Sequence, residues 1–254
     1  MKGRCVAGFA LTTYGRREWI ACSALALAIL AAIFCLAGTV APLIALAATP
    51  VLIVWGWVLW FFRDPERPAP SDPAALISSA DGVVADITPV GPDELLGKPG
   101  LRIGVFMSIF NVHVNRVPFD AEVLSTEHTP GAFLDARHPE AAFRNESATT
   151  KLAVAHNGKN HTIAVRQVAG LIARRIVTDV HPGQKTCRGQ RMGMIKFGSR
   201  VELWVPDELV GEVCVQVGDR SVAGQTVLVT APAETRDNQA ESPRQETDLA
   251  ATVE

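Results

Sequence analysis

The sequence predicts a mainly β (α+β) domain with lipoyl-like β-hairpin elements, preceded by a two-helix transmembrane hairpin. Three observations lead there. Residues 19–62 contain no charged side chain, a run of 44. Beyond Pro73 the chain changes to short Val- and Ile-rich runs punctuated by turn formers. From Pro232 onward it is polar and lacks aromatic residues.

Residues 1–18 form a basic N-terminal segment with Arg4, Arg16 and Arg17. A single membrane span needs about 20 apolar residues, so the run at 19–62 accommodates two helices and a tight turn. Spans near 19–39 and 44–62 follow, with Pro42 and Pro50, beside Thr39 and Thr49, marking the break. Arg63 and Arg67 lie on the other side, so basic residues flank an even number of crossings and both termini are expected in the cytoplasm. The apolar core of a signal peptide is only about 7–15 residues, too short to account for the run. Trp55, Trp57, Trp60, Phe61 and Phe62 gather at one end, as an interfacial aromatic belt does. The competing reading is a buried helical hairpin.

Residues 63–74 are a linker with four prolines at positions 65–73, semi-rigid by composition. The domain at 75–231 carries β-type runs at 82–87, 102–107, 161–168, 175–180, 196–205, 212–217 and 225–229, with turn residues such as His156-Asn-Gly158 and His181-Pro-Gly183 between them. A short helix is expected around 132–142. The stretch 211–229 looks like the hairpins of lipoyl-type domains but has no lysine to carry such a group. The tail, 232–254, with six acidic and two basic residues, is expected to be disordered.

The net charge is −2, and there is no basic stripe with interleaved aromatics, which argues against nucleic acid as a partner. Five cysteines without Cys-x-x-Cys spacing indicate neither a disulfide framework nor a zinc site, and no metal is expected.

Chemistry concentrates in a few places. Gly198-Ser199 stands inside a strand-like run, and a glycine before a serine has no side chain to hinder attack of the hydroxyl on its own carbonyl. Such a bond suits an N-to-O acyl shift when a base activates the serine, although the dipeptide alone also fits a turn or bulge. His113 sits in an alternating stretch where a strand would put Asn111, His113 and Asn115 on one face. Asp81 stands at a turn before a strand. His128, His138, His156 and His161 fall in polar, exposed-looking segments and His181 in a turn. The apolar run 167–176 ends on Arg174 and Arg175, a candidate edge of an anionic ligand site.

Six blocks in order resemble the phosphatidylserine decarboxylases in their short bacterial and archaeal form: Phe62-Arg-Asp-Pro-Glu-Arg67, Ser78-Ser-Ala-Asp-Gly-Val83, the stretch from Arg102 to Pro118 around His113, Asn145-Glu146, the run 167–176, and Gly193-Met-Ile-Lys-Phe-Gly-Ser-Arg200. The resemblance implies a proenzyme that cuts itself between Gly198 and Ser199. A β chain, 1–198, and an α chain, 199–254, would remain together as a heteromer, with higher oligomers left open. It further implies that Ser199 becomes a covalent pyruvoyl cofactor, which forms a Schiff base with phosphatidylserine and releases phosphatidylethanolamine and CO2. In the family an Asp-His-Ser relay drives the cut, and the matching positions are Asp81, His113 and Ser199. His113 would act as base and later as proton donor, with Asp81 orienting it. The domain would work on the cytoplasmic side of the cell membrane. Two other readings stay open: an amidohydrolase that keeps Ser199 as an N-terminal nucleophile, and a non-catalytic membrane-anchored β module.

Overall fold

In the computed structural model, which describes residues 10–37, 40–92, 95–134, 144–171, 175–196 and 198–233, the charge-free run folds as two helices, α1 (Arg16–Ala37) and α2 (Ala41–Phe61). At about 1.5 Å per residue each is roughly as long as the apolar layer of a bilayer is thick. Both are long and apolar enough to cross a membrane, and Leu25, Phe34, Leu36, Leu46 and Ile53 point outward, exposed. Trp55 Nε1 donates to Ser23 Oγ at 3.0 Å, tying the pair together.

The break falls before Pro42, which occupies the first turn of α2, where its missing N–H is not needed. Pro50 does not mark a break; it lies inside α2, as proline is tolerated in helices of apolar surroundings. The expected aromatic belt is also divided. Phe61 and Phe62 are buried rather than facing outward, in a cluster with Met194, while Trp60 stays half exposed beneath the Arg63 guanidinium.

The proline-rich stretch after α2 is pinned rather than loose. Thr12 N–H donates to Phe62 O at 2.9 Å and Asp64 N–H to Ala10 O at 2.7 Å. Arg116 donates to Asp64 and to Pro65 O, and Arg191 to Asp64 and Glu66.

Beyond it come β1 (Ala75–Ile77), β2 (Gly82–Val90), β3 (Gly100–Met107), β4 (Val114–Arg116), β5 (Ala121–Thr129), β6 (Ser147–His156), β7 (Lys159–Ala169), β8 (Ile176–Thr178), β9 (Lys185–Thr186), β10 (Arg191–Ile195), β11 (Ser199–Pro206), β12 (Glu212–Val213), β13 (Arg220–Ser221) and β14 (Val227–Thr230). The principal sheet has the order β13-β2-β3-β11-β7-β6-β5-β9, beside two three-stranded sheets, β1-β14-β12 and β4-β10-β8. All the pairings are antiparallel. Ile103, Val105, Leu152, Ile163, Val165, Val201 and Leu203 build the core between them.

β5 and β6 have no counterpart in the sequence reading, because Ser, Thr and Ala dilute their apolar pattern. Within 211–229 the strands divide between sheets: β12 pairs with β14, whereas β13 pairs with β2. Ala132 forms a bridge with Asn145 instead of opening a helix; residues 135–142 of that expected helix, with His138, lie outside the described residues, as do Cys5, Arg4 and the tail from 234.

Candidate active site

Ser199 opens β11 at the middle of the principal sheet, in register with Met107 on β3 and Ala169 on β7. It is 0 % exposed, and its Oγ has no hydrogen-bond partner among the described residues. Such buried polar atoms are scarce because an unmet hydroxyl costs about 1–3 kcal/mol. Gly198 ahead of it has φ +53, a left-handed backbone that glycine adopts without steric cost. Phe197 lies outside the described residues.

His113 is likewise 0 % exposed. The alternation expected around it does not form, since only residues 114–116 are strand. Asn111 instead closes a turn, its Oδ1 accepting from Ser108 N–H at 2.8 Å and Ser108 Oγ at 2.7 Å. The side chain's own turn chemistry outcompetes the strand. The turn aims the Asn111 carbonyl at His113 Nδ1, 2.9 Å away. A carbonyl oxygen only accepts, so Nδ1 carries the hydrogen and Nε2 keeps its lone pair. Nε2 is buried and without a partner among the described residues. Burial pushes the imidazole pKa down to about 4, the Arg63 charge working in the same direction, the Asn111 carbonyl and Asp81 opposing. At neutral pH His113 is therefore an uncharged base.

A chain of amides ties β4 to the strands beside Ser199. Thr178 Oγ1 donates to Gln167 Oε1, and Gln167 Nε2 to Asn115 Oδ1, each at 2.8 Å. Asn115 Nδ2 reaches the sulfur of Met107, the register partner of Ser199. On its other side His113 stacks on Phe61, the last residue of α2, with ring centroids 4.4 Å apart. The membrane-type helix thus supplies a wall of the site.

Asp81 is not hydrogen-bonded to His113. It is held by the Arg67 guanidinium, one of its two bonds being 2.9 Å, and accepts from Ala223 N–H at 2.8 Å. Gly82 after it permits close packing, since a Cβ there would lie 1.9 Å from Phe106 O. Asp81 acts on His113 only through its field. The sequence pointed to neither Arg67 nor Phe61 as part of this region, although Arg67 stands in one of the family-like blocks; Asn111 was placed beside His113, but on a strand face rather than in a turn. A cavity of about 470 Å³ lies beside Asp81, Ser108, Asn111 and Arg220.

The other histidines stay apart: His128 pairs with Glu146 at 3.3 Å, His156 Nε2 meets Pro232 O at 2.8 Å, and His161, largely buried rather than exposed, lies near Glu208. Arg175 lines a second cavity, with Arg16, Arg17 and Lys196, while Arg174 lies outside the described residues. No three His, Cys, Asp or Glu side chains among the described residues gather to hold a metal ion.

The chain is thus a β domain behind an apolar hairpin, with a buried serine at a strand start and a buried, neutral histidine as its candidate reactive groups. The phosphatidylserine decarboxylase family profile matches residues 55–229. A phosphatidylserine decarboxylase proenzyme of Geobacter metallireducens is 46% identical over 176 residues, spanning 69% of this chain and 78% of that protein. The proenzyme of Symbiobacterium thermophilum is 42% identical over 203 residues, 76% of this chain and 92% of that protein. That of Paramagnetospirillum magneticum is 41% identical over 200 residues, 73% and 81%. The chain belongs to the phosphatidylserine decarboxylase family.

Proposed function

We propose that this chain is a self-processing enzyme that decarboxylates phosphatidylserine to phosphatidylethanolamine on the cytoplasmic face of a membrane. The observation that carries the reading is the pair of buried, unpartnered atoms, Ser199 Oγ and His113 Nε2, in a chain of this family. His113 Nε2 takes the hydroxyl proton, and Oγ attacks the Gly198 carbonyl. The C–N bond breaks and an ester forms. Loss of the Ser199 Cα proton then breaks the Cβ–Oγ bond, releasing a Gly198 carboxylate. The dehydroalanine left behind tautomerises, and hydrolysis expels ammonia, leaving a pyruvoyl group at residue 199.

The site fits such a group: an orphaned oxygen is consumed in making it, and no side chain crowds Gly198. Once formed, the ketone supplies the electron sink for loss of CO2. The protein then excludes water through Phe61 and Met107 and keeps His113 Nε2 free to hold and return a proton. Asp81 contributes charge rather than a hydrogen bond, with Arg67 fixing it. Arg220, whose guanidinium has no partner among the described residues, offers a cation at the cavity beside Asp81 for the lipid phosphate. On this reading residues 1–198 and 199–254 are the two chains, 19–62 the anchor, 63–74 the linker and 75–231 the enzyme domain.

Intact-mass measurement of the purified protein tests the reading. Two chains, the smaller beginning with pyruvoyl, are expected, and one uncut chain for Ser199→Ala. A serine terminus on the small chain points to an amidohydrolase, and an uncut native chain to a non-catalytic module.

A further inference from the structure

The end of the principal sheet that holds Ser199 also presents two large apolar residues to the outside. β3 and β7 each pair antiparallel with β11, so they run parallel to one another and both leave the sheet where β11 begins. Phe110 stands three residues beyond Met107 and Leu171 two beyond Ala169, the two register partners of Ser199. Each is 64% exposed. Exposed side chains of this size on either side of a site are what an apolar partner covers.

The partner is identified by what stands beside them. Arg63, directly after α2, donates to Phe110 O at 2.8 Å, and Glu18 in the first turn of α1 pairs with Lys196. Both apolar helices therefore meet the domain at this end. Arg16, Arg17, Arg175 and Lys196 line one cavity of about 410 Å³ there with a single acid, Glu18, which pairs with Lys196 and is also acted on by the Arg175 charge. An apolar pair at the same end of the domain as a cavity with four cations and one carboxylate suits the headgroup layer of an anionic bilayer.

We propose that Phe110 and Leu171 insert into the bilayer on either side of Ser199, while the three arginines face lipid phosphates. The inference rests on the reading that α1 and α2 span that bilayer. A lipid headgroup then reaches the site without leaving the membrane, because the entrance is within the headgroup layer.

The test uses the full chain, its five cysteines replaced by serine, in vesicles of phosphatidylglycerol and phosphatidylcholine. A nitrobenzoxadiazole label is placed on one introduced cysteine: Phe110→Cys, Leu27→Cys in α1, or Lys98→Cys at the far end of the sheet. Doxyl-labelled phosphatidylcholine is expected to quench the labels at 27 and 110 at least twofold more than the label at 98. Quenching at 27 without quenching at 110 overturns the insertion and leaves the anchor standing. No quenching at 27 removes the anchor reading and the insertion with it. As a second arm, Phe110→Asp with Leu171→Asp should lower turnover of phosphatidylserine in vesicles about tenfold and of monomeric short-chain phosphatidylserine less than twofold. Equal losses on both substrates overturn the proposal. Self-cleavage of the double variant into two chains shows that it folds; should it stay uncut, the label at 110 decides.

Discussion

The two ends of the principal sheet use polar residues in opposite ways. At the end where β11 begins, Ser199, His113, Asn115 and Gln167 are all buried, and two of them keep an atom without a partner. At the end where β11 finishes, Lys98 pairs with the half-exposed Glu208 at 2.6 Å, and one buried nitrogen, His161 Nδ1, makes no hydrogen bond although it lies 3.5 Å from that carboxylate. Solvent-exposed pairs of this kind contribute little, and a buried group without a partner costs stability. The end proposed for the chemistry carries more of this cost, and it is the end built against α2.

His113→Gln should produce the largest effect. It keeps the approximate volume and removes the base, so self-cleavage is expected to slow by about 10²- to 10⁴-fold, as a gel time course reports. Cleavage at the native rate would remove His113 from the mechanism. Next comes Phe61→Ala, which opens a cavity beside the imidazole and should cost about 3 kcal/mol, as buried Phe→Ala changes do, measured by thermal unfolding in detergent.

The same variant sharpens the comparison through pH. With the His113 pKa down at about 4, native self-cleavage should be flat across neutrality and fall only toward that value. Phe61→Ala should move the midpoint up toward the ordinary imidazole value of about 6.5. The linkage has a definite sign. Between pH 4 and 6.5 the unfolded chain binds more protons at this residue than the folded one, so native stability is lost as pH falls through that window.

Asn115→Ala strands the Gln167 amide and is expected to cost about 1–3 kcal/mol, again by thermal unfolding. Lys98→Ala at the opposite end should change stability by no more than about 0.5 kcal/mol. A larger loss there than at Asn115 would reverse the contrast between the two ends.

How much of this was legible varies by residue. The hairpin was, since 44 residues without charge admit few alternatives. Ser199, Gly198 and His113 were singled out by ordered blocks. Asp81 was singled out as well, but its bond is to Arg67, fourteen residues before it, and not to His113. β5 and β6 went unseen because a strand rich in Ser, Thr and Ala carries little period-two contrast. Phe61 was read as lipid-facing from its place in an aromatic cluster, whereas it caps the histidine.

By itself the sequence determined the apolar hairpin, the β character of the larger domain and the membership of the family from which the proposed self-cut follows, because composition, turn chemistry and motif order are local properties. Only the tertiary structure decided that His113 takes its orientation from the Asn111 carbonyl, that Asp81 belongs to Arg67, and that the apolar helix α2 ends against the imidazole. Those outcomes depend on strand register and on contacts between residues far apart in the chain, where packing and desolvation choose among partners that local pattern leaves equivalent.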